Sequence, residues 1–230
     1  MKEKNIVSSY NQYYSARTHI HVYPVEFVVR TFLGTYPHLK MDRNSYAGSK
    51  ILDLGYGDGR NMPLLNNLKL KIYGVEISEE INLQAAERLK FLGIDAELKL
   101  GTNDQIPYDD SFFDYVLACH SCYYLKENKT FDDNLKEISR VIKSNGVFCA
   151  SLPMPDNFIF KNAEALPDGY FKIVNDPYGI RNGTIHKTFI NEEEILKIFS
   201  PFFSDITIGY INDNFFGINI KMWIIVAVRK

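Results

Sequence analysis

The chain has few of the residues that mark the more specialised protein classes. Only three of its 230 residues are cysteine and one is tryptophan. An odd set, Cys119, Cys122 and Cys149, lies in strand-like or loop segments and offers no disulfide framework, which suits a reducing compartment. Cys119 and Cys122 form a C-x-x-C, but structural zinc would need a second pair, and only Cys149 and His120 are nearby. No metal site is expected.

No charge of one sign dominates. The 26 Lys and Arg against 28 Asp and Glu leave a formal charge of -2, without the basic footprint of a nucleic-acid binder. No apolar run is long. The longest, Met222 to Val228, is far too short to span a bilayer, and the opening MKEKNIVSSYNQYYSAR has no signal-peptide core. A cytoplasmic protein with neither membrane nor nucleic-acid partner is expected. Repeats and low-complexity tracts are also missing, whereas 46% apolar and 14% aromatic residues supply a substantial core.

Short apolar runs alternate with helical periodicity. Lys50 to Leu54 reads as a buried strand, a helix is expected from Arg60 to Asn67, and Lys71 to Glu76 makes a second strand. Ser78 caps the next helix, whose Ile81, Ala85, Leu89 and Leu92 share a face and which Gly93 ends. Ala96 to Leu100 and Phe113 to Ala118 follow as strands. Phe131, Leu135, Ile138 and Ile142 then line a helix, Asn145-Gly146 turns the chain, and Val147 to Leu152 forms the fifth strand.

From Pro153 the texture changes, since prolines and glycines interrupt every periodic pattern up to about Phe189; this segment reads as an inserted lid. A helix near Asn191 to Phe199 precedes two strands, Asp205 to Ile211 and Ile218 to Val228, with a hairpin turn expected at Asn212-Asp213-Asn214. The expected fold is α/β: a Rossmann-like, doubly wound, seven-stranded, mostly parallel sheet with an antiparallel C-terminal hairpin. We read one domain, residues 1–230, with an N-terminal helical arm (1–47), a core (48–152), the lid (153–190) and a C-terminal helix and hairpin (191–230).

Chemistry concentrates at Asp53-Leu-Gly-Tyr-Gly-Asp-Gly59. Gly55, Gly57 and Gly59 fall between a strand and a helix, where missing Cβ atoms let a ligand lie against the backbone. A dinucleotide fingerprint would need glycine at position 60, which is Arg60. Glu76 ends the second strand, where a carboxylate can accept from both hydroxyls of a ribose.

Four segments, ILDLGYGDGRN (51–61), YGVEIS (73–78), GTNDQIPYDDSFFDYVLACHSCYYL (101–125) and EISRVIKSNGVFCASLP (137–153), follow one another in an order and spacing that resemble the class I S-adenosylmethionine-dependent methyltransferases. The resemblance covers residues 48 to 153. It implies S-adenosyl-L-methionine as cofactor, Asp53 and the three glycines near its methionine part, Glu76 on the ribose and Ile77 on the adenine. Thr102-Asn103 stands where many relatives have an aspartate facing the adenine amino group. The Cys119 carbonyl would lie near the methionine amino group, and Arg17 could pair with the methionine carboxylate.

Methyl transfer from a sulfonium is an in-line displacement, so positioning dominates, and a hydroxyl acceptor must lose a proton. His120 is the first candidate base and also borders the acceptor; His186 is the second. Tyr13 and Tyr14 in the arm and Tyr178 in the insert, among many rings in both segments, could wall a small-molecule pocket. The arm carries six basic residues against three acidic ones, and the insert balances four against four. The expected reaction is O-methylation of a small hydroxylated, sugar- or phosphate-bearing acceptor. N-methylation of a small amine and a non-catalytic cofactor-binding subunit are the alternatives. The sequence leaves the oligomeric state open.

Overall fold

The computed structural model describes residues 6–16 and 21–230. Two helices, α1 (Ile6–Ser15) and α2 (Glu26–Leu33), precede the sheet. The alternating core follows: β1 (Lys50–Leu54), α3 (Met62–Asn67), β2 (Lys71–Glu76), α4 (Glu79–Phe91), β3 (Ala96–Leu100), β4 (Phe113–Ala118), β5 (Tyr124–Leu125), α5 (Phe131–Val141) and β6 (Ile142–Pro153). The insert holds β7 (Glu164–Ala165), β8 (Tyr170–Lys172) and β9 (Ile185–Lys187), and α6 (Glu192–Phe199), β10 (Phe203–Phe215) and β11 (Ile218–Arg229) close the chain.

The main sheet has the order β10-β11-β6-β4-β1-β2-β3. The five strands from β6 to β3 are parallel, whereas β11 runs antiparallel to β6, and β10 to β11. The expected sheet is therefore present, and β1 sits between β2 and β4 at the point where strand order reverses. Ligands of such sheets bind at the strands' carboxyl ends at that switch point.

Local chemistry explains the core helices. The Ser78 hydroxyl accepts the Ile81 N–H, Glu79 and Glu80 face the positive end of α4, and Arg88 and Lys90 occupy its last turn. Thr130 and Asp133 form a capping box on α5, whose Phe131, Leu135 and Ile138 are buried.

Three expectations need correction. The first helix begins at Met62, not Arg60, because the chain is still turning out of the glycine loop, with the Met62 N–H donating to the Gly59 carbonyl. Ile142 opens β6 opposite Phe113, and Asn145-Gly146 is an irregularity within β6, with Asn145 at a φ of 63°, rather than a chain reversal. The hairpin turns at Phe216-Gly217, with φ of 53° and 92°, because Asp213, Asn214 and Phe215 remain paired with Ile220, Asn219 and Ile218.

The insert is more ordered than its prolines and glycines suggest. Its strands join β5 in a second sheet, β5-β9-β8-β7. Ile159, Phe160, Ile173 and Phe189 of the insert share a buried cluster with Phe131 and Leu135 of α5 and Phe148 of β6. On the other face, Phe27, Val28 and Phe32 of α2 pack with Tyr46, Ile51, Tyr115 and Cys149. No helix among the described residues is long and apolar enough to cross a membrane.

Candidate functional site

Leaving β1, the chain takes left-handed φ at Gly55, Gly57 and Gly59 (68°, 56° and 70°). Two of these glycines have a second requirement. A Cβ at Gly55 would lie 2.5 Å from the Ser121 Cβ, and one at Gly57 would lie 2.3 Å from the Tyr14 hydroxyl. Tyr14 thus roofs the loop, and a ligand touching the Gly57 backbone needs that ring to swing aside. Burial, and then the nearby Glu76 charge, push the Tyr14 hydroxyl well above its ordinary pKa, so it stays protonated.

The acid at the end of β2 faces this loop. Glu76 accepts the Gly57 N–H at 3.0 Å and the Ile77 N–H at 2.9 Å. Burial raises its pKa, and the two N–H bonds oppose that rise. Asp53, at the floor, is fully buried, and among the described residues neither carboxylate oxygen has a hydrogen-bond partner of good geometry, although the Asn61 side chain lies close enough to oppose the rise in its pKa. Burial first, and Glu76 second, push its carboxyl up to about 8. An orphaned buried acid of this kind is costly unless something positively charged or donating reaches it.

Beyond Glu76, Ile77, Leu100, Gly101, Thr102, Gln105, Pro107 and Lys126 line a cavity of about 320 Å³. Ile77 is half exposed and forms an apolar wall. The Thr102 hydroxyl donates to Asp104, which also pairs with Lys126. Asn103 turns elsewhere: its Nδ2 donates to the Ser121 and Tyr124 carbonyls, at 2.8 and 3.1 Å, and pins the loop after β4.

That loop carries the remaining groups. His120 sits in the left-handed region at a φ of 58°. Ser151 of β6 holds it there, accepting the His120 N–H at 2.9 Å and lying 3.0 Å from the ring Nδ1. The same hydroxyl thus ties down both the backbone and the ring of His120. The Phe27 ring packs edge-on at 5.8 Å. Burial, with the Arg181 and Arg60 charges, lowers the imidazole to about 4, so it is neutral at pH 7 and a poor proton acceptor. Cys119 beside it is pushed up by burial and then by the Asp53 charge, and stays a thiol.

The expected residues separate in space. Asp53, the glycine loop, Glu76, Cys119 and His120 gather at the carboxyl ends of β1, β2 and β4; Tyr14 joins them from α1, and Tyr13 packs 5.3 Å from Tyr14. His186 does not suit the role of a base. It is fully buried in β9 against Tyr124 at 4.1 Å, with Nε2 bonded to the Thr184 hydroxyl. Burial drives its pKa well below normal. Tyr178 is about half exposed, edge-on to Phe158, and Arg17 lies outside the described residues.

Three residues escaped the sequence reading. Ser151 lies in a strand with nothing to mark it. Arg181 hides in an insert of balanced charge, its Nε donating to the Tyr124 hydroxyl at 3.2 Å and its Nη1 to Asp176 at 2.9 Å. Tyr124 itself is in the motif run, yet only the fold shows its hydroxyl bonded to Tyr10 at 2.7 Å.

The buried imidazoles predict acid sensitivity. Both have folded pKa values below the unfolded value of about 6.5, so the stability they contribute is full above that pH. It is lost as pH falls, down to about 4 for His120 and further for His186. Each contributes a slope of up to about 1.4 kcal/mol per pH unit there. Urea unfolding of His186→Leu between pH 6.5 and 5 should show a slope shallower by about one proton; an unchanged slope would contradict the neutral buried ring.

The cleft suits S-adenosyl-L-methionine. Asp53 has no hydrogen-bond partner among the described residues, the glycine loop opens to a ligand once Tyr14 moves, Glu76 points at the loop, and a cavity of mixed polar and apolar lining continues past it. The methyltransferase domain family matches residues 52–150. A demethylmenaquinone methyltransferase of Bacillus cytotoxicus is 30% identical over 137 residues, 57% of this chain and 55% of that protein. A sarcosine/dimethylglycine N-methyltransferase of Halorhodospira halochloris is 28% identical over 131 residues, 56% of this chain and 43% of that protein. The chain spans about half the length of the curated relatives it matches. Among solved structures, an S-adenosylmethionine-dependent methyltransferase of Methanosarcina mazei shares the fold with a TM-score of 0.63 at 19% identity, over 85% of this chain and 98% of that one. A Pyrococcus horikoshii protein gives a TM-score of 0.65 at 18% identity, over 95% and 99%. That domain match spans the strands and loops that build the cleft, and over this part the chain is similar to S-adenosylmethionine-dependent methyltransferases in sequence and in fold.

Proposed function

We propose that this protein transfers a methyl group from S-adenosyl-L-methionine to an oxygen of a small polar acceptor. When bound, the cofactor supplies an electrophilic methyl on a sulfonium. The chain's part is to orient and to exclude water. Asp53 and the glycine loop bind the methionine end, Glu76 holds the ribose diol, and Ile77 and Thr102 flank the adenine. Asn103 acts one step removed, by fixing the loop that carries Cys119 and His120.

The observation that carries the choice of oxygen is the character of the groups around His120. An amine acceptor gains from nearby hydrogen-bond acceptors and loses from nearby cations, whereas the charges felt at His120 are those of Arg181 and Arg60, and Arg181 donates to the Tyr124 hydroxyl that Tyr10 also bonds. His120, neutral and weakly basic, orients the acceptor oxygen by a hydrogen bond rather than taking its proton, which passes to solvent water as the new O–C bond forms and the methyl leaves sulfur. This revises the base role expected from sequence.

Incubation with methyl-labelled cofactor and separate pools of hydroxylated and amine metabolites tests the reading. Label should enter the hydroxylated pool, and His120→Ala should lower turnover at least about tenfold while leaving cofactor affinity within about twofold. Label confined to amines would remove the oxygen assignment. Failure to bind the cofactor would remove the whole reading.

A further inference from the structure

Hydrogen-bond donors accumulate between the end of β4, α1 and the insert without an acceptor to receive them. Tyr10 and Tyr124 share one hydrogen bond at 2.7 Å, which uses one of their two hydroxyl protons. The other has no acceptor among the described residues. Tyr124 also accepts from Arg181 Nε at 3.2 Å. Arg181 Nη1 donates to Asp176, and Nη2 has no partner among the described residues.

The guanidinium is held, not loose. Its side chain is 19% exposed, and the Asp176 side chain is 0% exposed. The second oxygen of Asp176 accepts the Ile180 and Arg181 N–H groups, at 3.0 and 3.4 Å. Asp176 therefore fixes one edge of the fork and leaves the Nη2 end projecting. An arginine keeps its charge in any protein environment, and a fork with a free end matches the two oxygens of a carboxylate or phosphate. The position also fits the methyl-transfer end. Tyr10 stacks on Tyr14, which covers Gly57, and the Arg181 charge is felt at His120.

We propose that the methyl acceptor carries an oxyanion, a carboxylate or a phosphate, and that Arg181 and the Tyr10–Tyr124 hydroxyls bind it. This makes Arg181 the residue that selects the acceptor. The proposal rests on the methyltransferase reading of the cleft. A carboxylate or phosphate oxygen attacks the methyl with no proton to lose, which is consistent with a neutral His120.

The test uses the protein saturated with S-adenosylhomocysteine and titrated calorimetrically with benzoate, phenyl phosphate and benzamide. At least one of the two anions should bind and the neutral amide should not. The stronger anion identifies the group. Arg181→Lys, which keeps the charge and the pairing with Asp176 but loses the fork, should weaken that anion about tenfold. Tyr124→Phe, which leaves the Arg181–Asp176 pair intact, should weaken it about threefold. S-adenosylhomocysteine affinity should stay constant in both variants. Equal binding of benzamide, binding of neither anion, or anion affinity unaffected by both variants would overturn the proposal. A wild type that binds the anion but not S-adenosylhomocysteine would instead sink the cofactor reading, leaving the anion site standing.

Discussion

Asp53→Asn should raise the melting temperature of the cofactor-free protein at pH 8 and weaken cofactor binding at the same time. The carboxyl is fully buried without a hydrogen-bond partner of good geometry among the described residues and is held at about 8 instead of 3.8. At about 1.4 kcal/mol for each pKa unit, ionising it in the fold costs about 5 kcal/mol more than in the unfolded chain. The sign follows from linkage. A folded pKa above the unfolded one gives stability that is full below 3.8 and lost as pH rises through 8. Asparagine has no such loss, although its own unpartnered amide returns about 1–3 kcal/mol of the gain. The remaining gain corresponds to roughly 5 °C or more in a chain of this size. The gap between variant and wild type should narrow at pH 5 and open at pH 8. A cationic ligand offsets the wild-type cost and not the variant's, so cofactor affinity should drop at least about tenfold. Identical melting curves at pH 8 together with unchanged affinity would show that the acid is neither strained nor in contact with the ligand.

Glu76→Ala carries the second large effect. The carboxylate holds the Gly57 and Ile77 N–H groups, so its removal loosens the glycine loop and the start of the adenine wall as well as the proposed ribose grip. Two charge-assisted bonds to a sugar are worth about 1.5–3 kcal/mol each, and leaving two buried N–H donors unpaired adds to the loss. The expected result is a cofactor affinity at least about 30-fold weaker by calorimetry, close to 2 kcal/mol. Glu76→Gln retains an oxygen for one backbone N–H and should fall between the two. An alanine variant that binds as the wild type does would refute the assignment.

Much of this protein was legible in local patterns. Lys50 to Leu54, the glycine triplet and Glu76 at the end of the next strand are neighbours in sequence and in function, and residue period and turn chemistry report on such short-range arrangements. The capped helix from Ser78 and the parallel order follow from the same signals and from the handedness of strand crossovers. The hairpin was misplaced because Asn212, Asp213 and Asn214 are turn-prone residues that cross-strand pairing holds extended, while the aromatic Phe216 makes the turn. The insert looked irregular because its strands have only two or three residues, too few to show a period, and part of its core comes from elsewhere in the chain.

What the sequence determined by itself was the likeness to a methyltransferase domain, the glycine-loop cleft and the acid that faces it, since each is set by contacts within one strand-turn-helix unit or between adjacent strands. Only the tertiary structure brought together the groups that we propose meet the acceptor. Tyr10 and Tyr124 are 114 residues apart, Tyr124 and Arg181 are 57 apart, and Ser151 reaches His120 across 31 residues. Hydrogen bonds and charges act through space, so burial and distant charges keep His120 neutral in a way that its residue type alone did not reveal.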